Sequence, residues 1–146
     1  MSYIQQYVVG FVFSPDHTKV LLIQKNRPAW QRNHYNGIGG KIEEGEEPIE
    51  AMVRECNEES GLYIQPMNWK HFAVIVSEER MYRVHCFSTV SAIYEDFENK
   101  TDEEIAIIDV TALWSTPVIP NLRWLIPFAL DPDIAGPTIF HDIGEN

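Results

Sequence analysis

Three glutamates stand close together in the run Arg54-Glu55-Cys56-Asn57-Glu58-Glu59. On a helix advancing about 100° per residue, Glu55, Glu58 and Glu59 fall within an arc of about 100°. Glu55 and Glu59 form a like-charge i,i+4 pair, which destabilises a helix by roughly 0.2–0.5 kcal/mol. Glu58 crowds the same side, and all three lie in the C-terminal half, where the helix dipole disfavours anions. Such a group calls for a cation. Arg54 can neutralise one carboxylate, although helical geometry points it to the far side of the arc. A hard divalent ion compensates better, because Mg²⁺ takes oxygen ligands and is held by a few carboxylates together with substrate phosphates. A solvated acidic helix face would give the same charge pattern, so charge alone leaves both readings open.

The elements that must position these residues are legible from periodicity. Pro48 fits the first helical position and Gly61 the left-handed residue just past the end. Between them Ile49, Met52, Val53 and Cys56 recur at the spacing of a buried helical stripe. Tyr7 to Phe13 and Lys19 to Gln24, parted by the turn cluster Ser14-Pro15-Asp16-His17, read as a hairpin. A loop with Trp30, Arg32, Asn33 and His34 leads to Tyr35-Asn36-Gly37-Ile38-Gly39-Gly40-Lys41, whose glycines suggest a sharp turn or a close approach. Trp69 to Val76 and Tyr82 to Ala92 read as strands paired through Ser77-Glu78-Glu79-Arg80. Ile105 to Leu113 reads as a last central strand, and Asn121 to Leu130 has helical spacing that Pro127 should break. Pro137 to Phe140 adds a short edge strand. No repeat, linker or low-complexity run divides the chain, so residues 1–146 read as one α+β domain.

Composition narrows the function. Twenty-two acidic residues against eleven Lys and Arg give a net charge of -11. A bare surface for duplex nucleic acid is not expected from that balance, since phosphate neutralisation drives such binding. A small polyphosphate remains possible where metal ions and a few local cations intervene. Cys56 and Cys86 have no zinc-ligand spacing and read as small core residues. The five histidines are scattered and none requires a catalytic assignment. No apolar run approaches the roughly 18 residues of a membrane span, and no signal peptide is visible, which points to the cytoplasm.

From Gly40 the chain follows, without a gap, the pattern G-x5-E-x7-R-E-U-x-E-E-x-G-U through Gly40, Glu46, Arg54, Glu55, Cys56, Glu58, Glu59, Gly61 and Leu62. In this it resembles the signature box of the Nudix hydrolases, and more loosely the MutT-like members. Only Cys56 is soft, where the family has a larger aliphatic residue. The resemblance implies a mixed β-sheet sandwiched between α-helices (α/β/α). It implies Mg²⁺ or Mn²⁺ ligated by Glu55, Glu58 and Glu59, often with the backbone carbonyl at Gly40. Glu55, and next to it Glu58, would take the proton of the attacking water. Arg54 would orient a box glutamate through a fork geometry that Lys cannot reproduce, with Glu46 as its partner. A further ligand in several relatives comes from a late acidic loop, here Glu103 or Glu104, with Glu104 taken as the candidate.

The run Tyr35 to Lys41 is similar to that of Nudix enzymes acting on nucleoside triphosphates, including those that sanitise oxidised purines. There Asn36 would hydrogen-bond a base, or else simply hold the turn before Gly37. Trp124 would stack on the base or sit in the core, and Arg27 and Lys41, with Lys25 and Arg32, would contact phosphate. Relatives that select oxidised purines carry acids about where Asn121 and Leu122 stand, so that specialisation is not expected. The leading expectation is a (d)NTP cut to (d)NMP and pyrophosphate by a monomer or homodimer. The alternatives are ADP-ribose, a nucleotide sugar, a dinucleoside polyphosphate or an RNA cap as substrate, or a non-catalytic nucleotide-sensing module.

Overall fold

The structure is a computed structural model that describes residues 4–143. Its centre is one mixed sheet. Strand β1 (Gln5–Phe13) runs parallel to β6 (Tyr82–Val90) along its whole length. Its other edge is shared: β4 (Ile38–Lys41) pairs antiparallel with residues 7–10, and β2 (Lys19–Gln24) only with Val12 and Phe13. The expected β1–β2 hairpin is therefore two residue pairs long, and beyond them the strands part to admit β4. On β2 lie β3 (Tyr35–Asn36) and β7 (Ile105–Asp109), both antiparallel. On the far side β5 (Lys70–Ser77) pairs antiparallel with β6 and parallel with β8 (Thr138–His141).

Two helices cover the two faces. Helix α1 (Pro48–Ser60) buries Ala51, Met52 and Cys56 against Val8, Val12, Leu21, Ile23, Ile38 and Phe87. Helix α2 (Leu122–Ala129) buries Leu122, Leu125 and Ile126 against Phe11, Phe13, Leu22, Phe72 and Cys86. The alternation of β1 explains this division. Odd residues such as Phe11 and Phe13 face α2, while even residues such as Val8 and Val12 face α1. The α/β/α sandwich is thus present. Both cysteines are buried within it, and burial pushes the Cys56 thiol up to about 11 and that of Cys86 to about 12. Both are small residues of the core.

Three segments depart from expectation. The run from Ile105 is an edge strand rather than a central one, pairing only with β2 and stopping at Asp109 before a 3-10 turn at Val110–Ala112. Ile107 is accordingly exposed. Strand β6 stops at Val90 rather than Ala92. Pro127 lies inside α2 without breaking it; the buried apolar face outweighs one missing backbone hydrogen bond near the helix end. Among the described residues no helix is long and apolar enough to cross a membrane.

Candidate active site

The positioning of the glutamates begins with the ends of α1. Pro48 opens the helix, and the Glu50 carboxylate accepts a hydrogen bond from the Glu47 backbone N–H at 2.8 Å. Gly61 closes it at φ 75°, where an L side chain would be strained. The apolar stripe seats the helix on the sheet and fixes its rotation. Glu55 is thereby brought over Gly40 of β4: a Cβ built on Gly40 would lie 2.6 Å from Glu55 Oε1. Glycine at this position is a steric requirement of the site.

Arg54 does not point away from the carboxylates. Its Nε and Nη2 donate to the two oxygens of Glu46 at 2.7 and 3.0 Å, and Nη2 also to the Lys41 carbonyl at 3.1 Å. Its Nη1 donates to Glu55 Oε1 at 2.9 Å and Glu58 Oε2 at 3.2 Å. The expected far-side orientation fails because a long side chain can curl back toward the loop before the helix. The fork ties α1, that loop and two of the three helix glutamates together. Its guanidinium holds the Glu46 carboxyl below the ordinary range.

Glu59 is the outlier. It is a carboxylate only 7% exposed. Burial pushes its pKa up, Glu55 and Glu103 add to the shift, and Lys25 opposes it. Glu58, by contrast, is largely open to solvent. In the late acidic loop it is Glu103, not Glu104, whose carboxylate is buried. Glu103 is 6% exposed, accepting from Lys25 Nζ at 3.0 Å and from the Asn26 backbone N–H at 2.6 Å. Burial would raise its pKa, but these two donors outweigh it and hold the carboxyl low. Glu104 is exposed.

Among the described residues no three His, Cys, Asp or Glu side chains are gathered closely enough to cage an ion as they stand. The donor chemistry nevertheless fits a hard cation. Every candidate ligand is an oxygen, two carboxylates are buried beside like charge, and the glycine cradle leaves room for Glu55.

The expected substrate groups are more dispersed. Asn36 donates from Nδ2 to Gln31 Oε1 at 3.1 Å and accepts at Oδ1 from the Gly37 N–H at 2.8 Å, so its amide braces the turn into β4. Gln31, which sequence reasoning passed over, is its partner. Arg27 pairs with exposed Asp102 at 2.9 Å, beside Glu103. Lys41 is exposed. Trp124 belongs to α2, 44% exposed, with its ring 4.8 Å from that of Phe140.

The chain is thus an α/β/α domain with a carboxylate cluster on α1 over a glycine of β4. The sequence profile of the NUDIX domain matches residues 4–125, and the chain belongs to that family. A protein named "Uncharacterized Nudix hydrolase YvcI", from Bacillus subtilis (strain 168), is 42% identical over 64 residues, covering 44% of this chain and 37% of that protein. Among solved structures, the NUDIX domain of Shewanella oneidensis NrtR complexed with ADP ribose superposes with a TM-score of 0.75 at 16% identity, covering 88% of each chain. The MutT protein of Bacillus halodurans superposes at 0.70 and 21% identity, over 96% of this chain and 91% of that one. These two likenesses bear on the fold alone.

Proposed function

We propose that this chain is a hydrolase that uses Mg²⁺ or Mn²⁺ to cut the diphosphate linkage of a nucleoside triphosphate, releasing a nucleoside monophosphate and pyrophosphate. The observation that carries this reading is the placement of Glu55 over Gly40 with buried Glu59 on the same helix, a concentration of carboxylate oxygens that folding alone does not compensate. Glu55, Glu58 and Glu59 would hold the metal, with the Gly40 carbonyl and Glu103 as further oxygen donors. When bound, such an ion neutralises diphosphate oxygens and lowers the pKa of a water.

The chain's own residues supply the rest. Water oxygen bonds to phosphorus, the bridging P–O bond breaks, and the proton of the water passes to a carboxylate, Glu55 first and Glu58 next. Arg54 holds both carboxylates in register from its anchor on Glu46. Arg27, in the loop after β2, and Lys41, at the end of β4, would steady phosphate oxygens. Trp124, expected to stack on the base, lies on α2, across the sheet from α1, with its ring against Phe140 of β8, and takes no part in this reading. Asn36 would act on the base through the turn it holds. ADP-ribose is the second reading, prompted by the ligand named for the NrtR domain.

The test is product release from a panel of NTPs, dNTPs, oxidised dNTPs, ADP-ribose and nucleotide sugars with Mg²⁺ or Mn²⁺. Turnover of triphosphates with pyrophosphate as product supports the proposal. Turnover of ADP-ribose alone replaces it with the second reading, and a silent panel replaces it with a nucleotide-sensing module.

A further inference from the structure

From His17 to Ile42 the chain carries no aspartate or glutamate, although it has 22 of them, while five of its eleven Lys and Arg stand there. Within this stretch the residues between β2 and β3 form a stiff arm. The Lys25 N–H donates to the His34 carbonyl and the Asn33 N–H to that of Lys25, each at 2.8 Å, closing the arm at its root. Its tip is the 3-10 turn Ala29–Gln31, where the Gln31 N–H donates to the Pro28 carbonyl at 2.9 Å. Gln31 Oε1 accepts from Asn36 Nδ2 at 3.1 Å and so folds the tip back against the turn into β4. From Asn36 to Gly40 the chain spans at most roughly 14 Å. The tip is thus anchored within a distance that a nucleoside and its phosphates can bridge from the glycine beneath Glu55.

Trp30 sits on that tip, 68% exposed. The other tryptophans are engaged: Trp69 is buried, Trp124 packs on Phe140, and Trp114 carries the Arg123 guanidinium 5.0 Å from its ring centre. Among the described residues Trp30 alone of the four is both exposed and without a ring contact, a cation or a side-chain hydrogen bond. A bare indole on a stiff arm leaves apolar surface in water that folding does not recover.

We propose that Trp30 is a specificity-determining residue whose indole ring stacks on the base of the nucleotide substrate. This deepens the nucleotide reading above and rests on it. Every base has a π-face, so a ring contact separates nucleotides from base-free polyphosphates and favours the larger face of a purine. The arm's fixed backbone presents the ring already in place, so little order is lost on binding. The acid-free stretch around it lets a polyphosphate approach a chain whose net charge is -11. Gln31 then has a second consequence: by tying the tip to Asn36 it sets the ring beside the turn that leads to Gly40.

The experiment compares wild type, Trp30→Ala and Trp30→Phe, each first shown to be folded by circular dichroism. Steady-state kinetics use the nucleotide of the panel that turns over best, with inorganic tripolyphosphate as a base-free competitor. Trp30→Ala should raise KM by about tenfold or more with kcat within about threefold, and Trp30→Phe, which keeps a ring, should stay within about threefold of wild type. Inhibition by tripolyphosphate should be the same in all three proteins within about twofold, because that probe has no base to stack. An unchanged KM in Trp30→Ala overturns the proposal while leaving the nucleotide reading intact. So does a KM that rises together with the inhibition constant of tripolyphosphate, which would mean that the arm serves the phosphates or the fold. If the wild type neither cuts nor, by calorimetry, binds any nucleotide of the panel, that reading falls and this proposal with it.

Discussion

Two polar clusters lie within the sandwich, and they are built on opposite terms. In one, Gln6 of β1, His85 of β6 and His71 of β5 form a chain across three adjacent strands: Gln6 Oε1 is 2.9 Å from His85 Nε2, and His85 Nδ1 is 3.2 Å from His71 Nε2. His71 then stacks on Phe87, ring centroids 4.6 Å apart. With the glutamine oxygen accepting, neutral His85 donates from Nε2 and accepts at Nδ1, which makes His71 the next donor. Burial lowers the pKa of both rings, His85 to about 4, and the cluster satisfies itself by shedding charge. The other cluster, around Glu55, Glu59 and Glu103, crowds like charges that Arg54 and Lys25 only partly offset. A buried network complete within the chain is architecture. One left short of a cation is where an external ion and its chemistry belong.

That contrast can be broken by mutation. The largest effect is expected for Glu58→Gln, which should lower kcat at least a hundredfold, about 2.7 kcal/mol. His85→Gln should leave kcat within about threefold, and steady-state kinetics on both proteins would show whether the two clusters really divide this way. Gly40→Ala comes next. The new methyl displaces the Glu55 carboxylate, a flexible group, so kcat should fall by about tenfold while the thermal midpoint barely moves. An equal loss of stability and activity would mean that the glycine serves folding instead.

Glu59→Gln tests the cost of the incomplete cluster. An acid whose folded pKa lies above its unfolded value loses stability for the protein as pH rises past the unfolded value, because the unfolded chain releases its proton first. At neutral pH without metal, the glutamine variant should therefore be more stable than wild type by about 1–2 kcal/mol, yet bind Mn²⁺ more weakly. A denaturant titration showing the variant less stable would contradict the electrostatic account. The smallest effect belongs to the histidines. His85 is held neutral by the fold, so stability is full above the ordinary histidine value and declines as pH falls from about 6.5 toward 4. Thermal melts across that window should show a slope that His85→Gln flattens.

Much of the site was legible because α1 carries it on a local pattern. Helical period, Pro48, Gly61 and the spacing from Gly40 to Leu62 are short-range properties, and the structure keeps their geometry. The strands were legible as strands, since β-branched runs between turn residues need no partner to be recognised. Their neighbours were not. The parallel pairing of β1 with β6 joins segments about half the chain apart, and the edge position of β7 depends on what else competes for β2.

Local sequence, then, determined which residues could gather charge and where a helix would hold them, because backbone period and side-chain chemistry act over a few residues. Tertiary structure alone decided that Arg54 curls back to Glu46, that Glu103 rather than Glu104 turns inward, and that Lys25 meets it from far away in the sequence. Those contacts depend on burial, and burial is set by how separate elements pack around a common core.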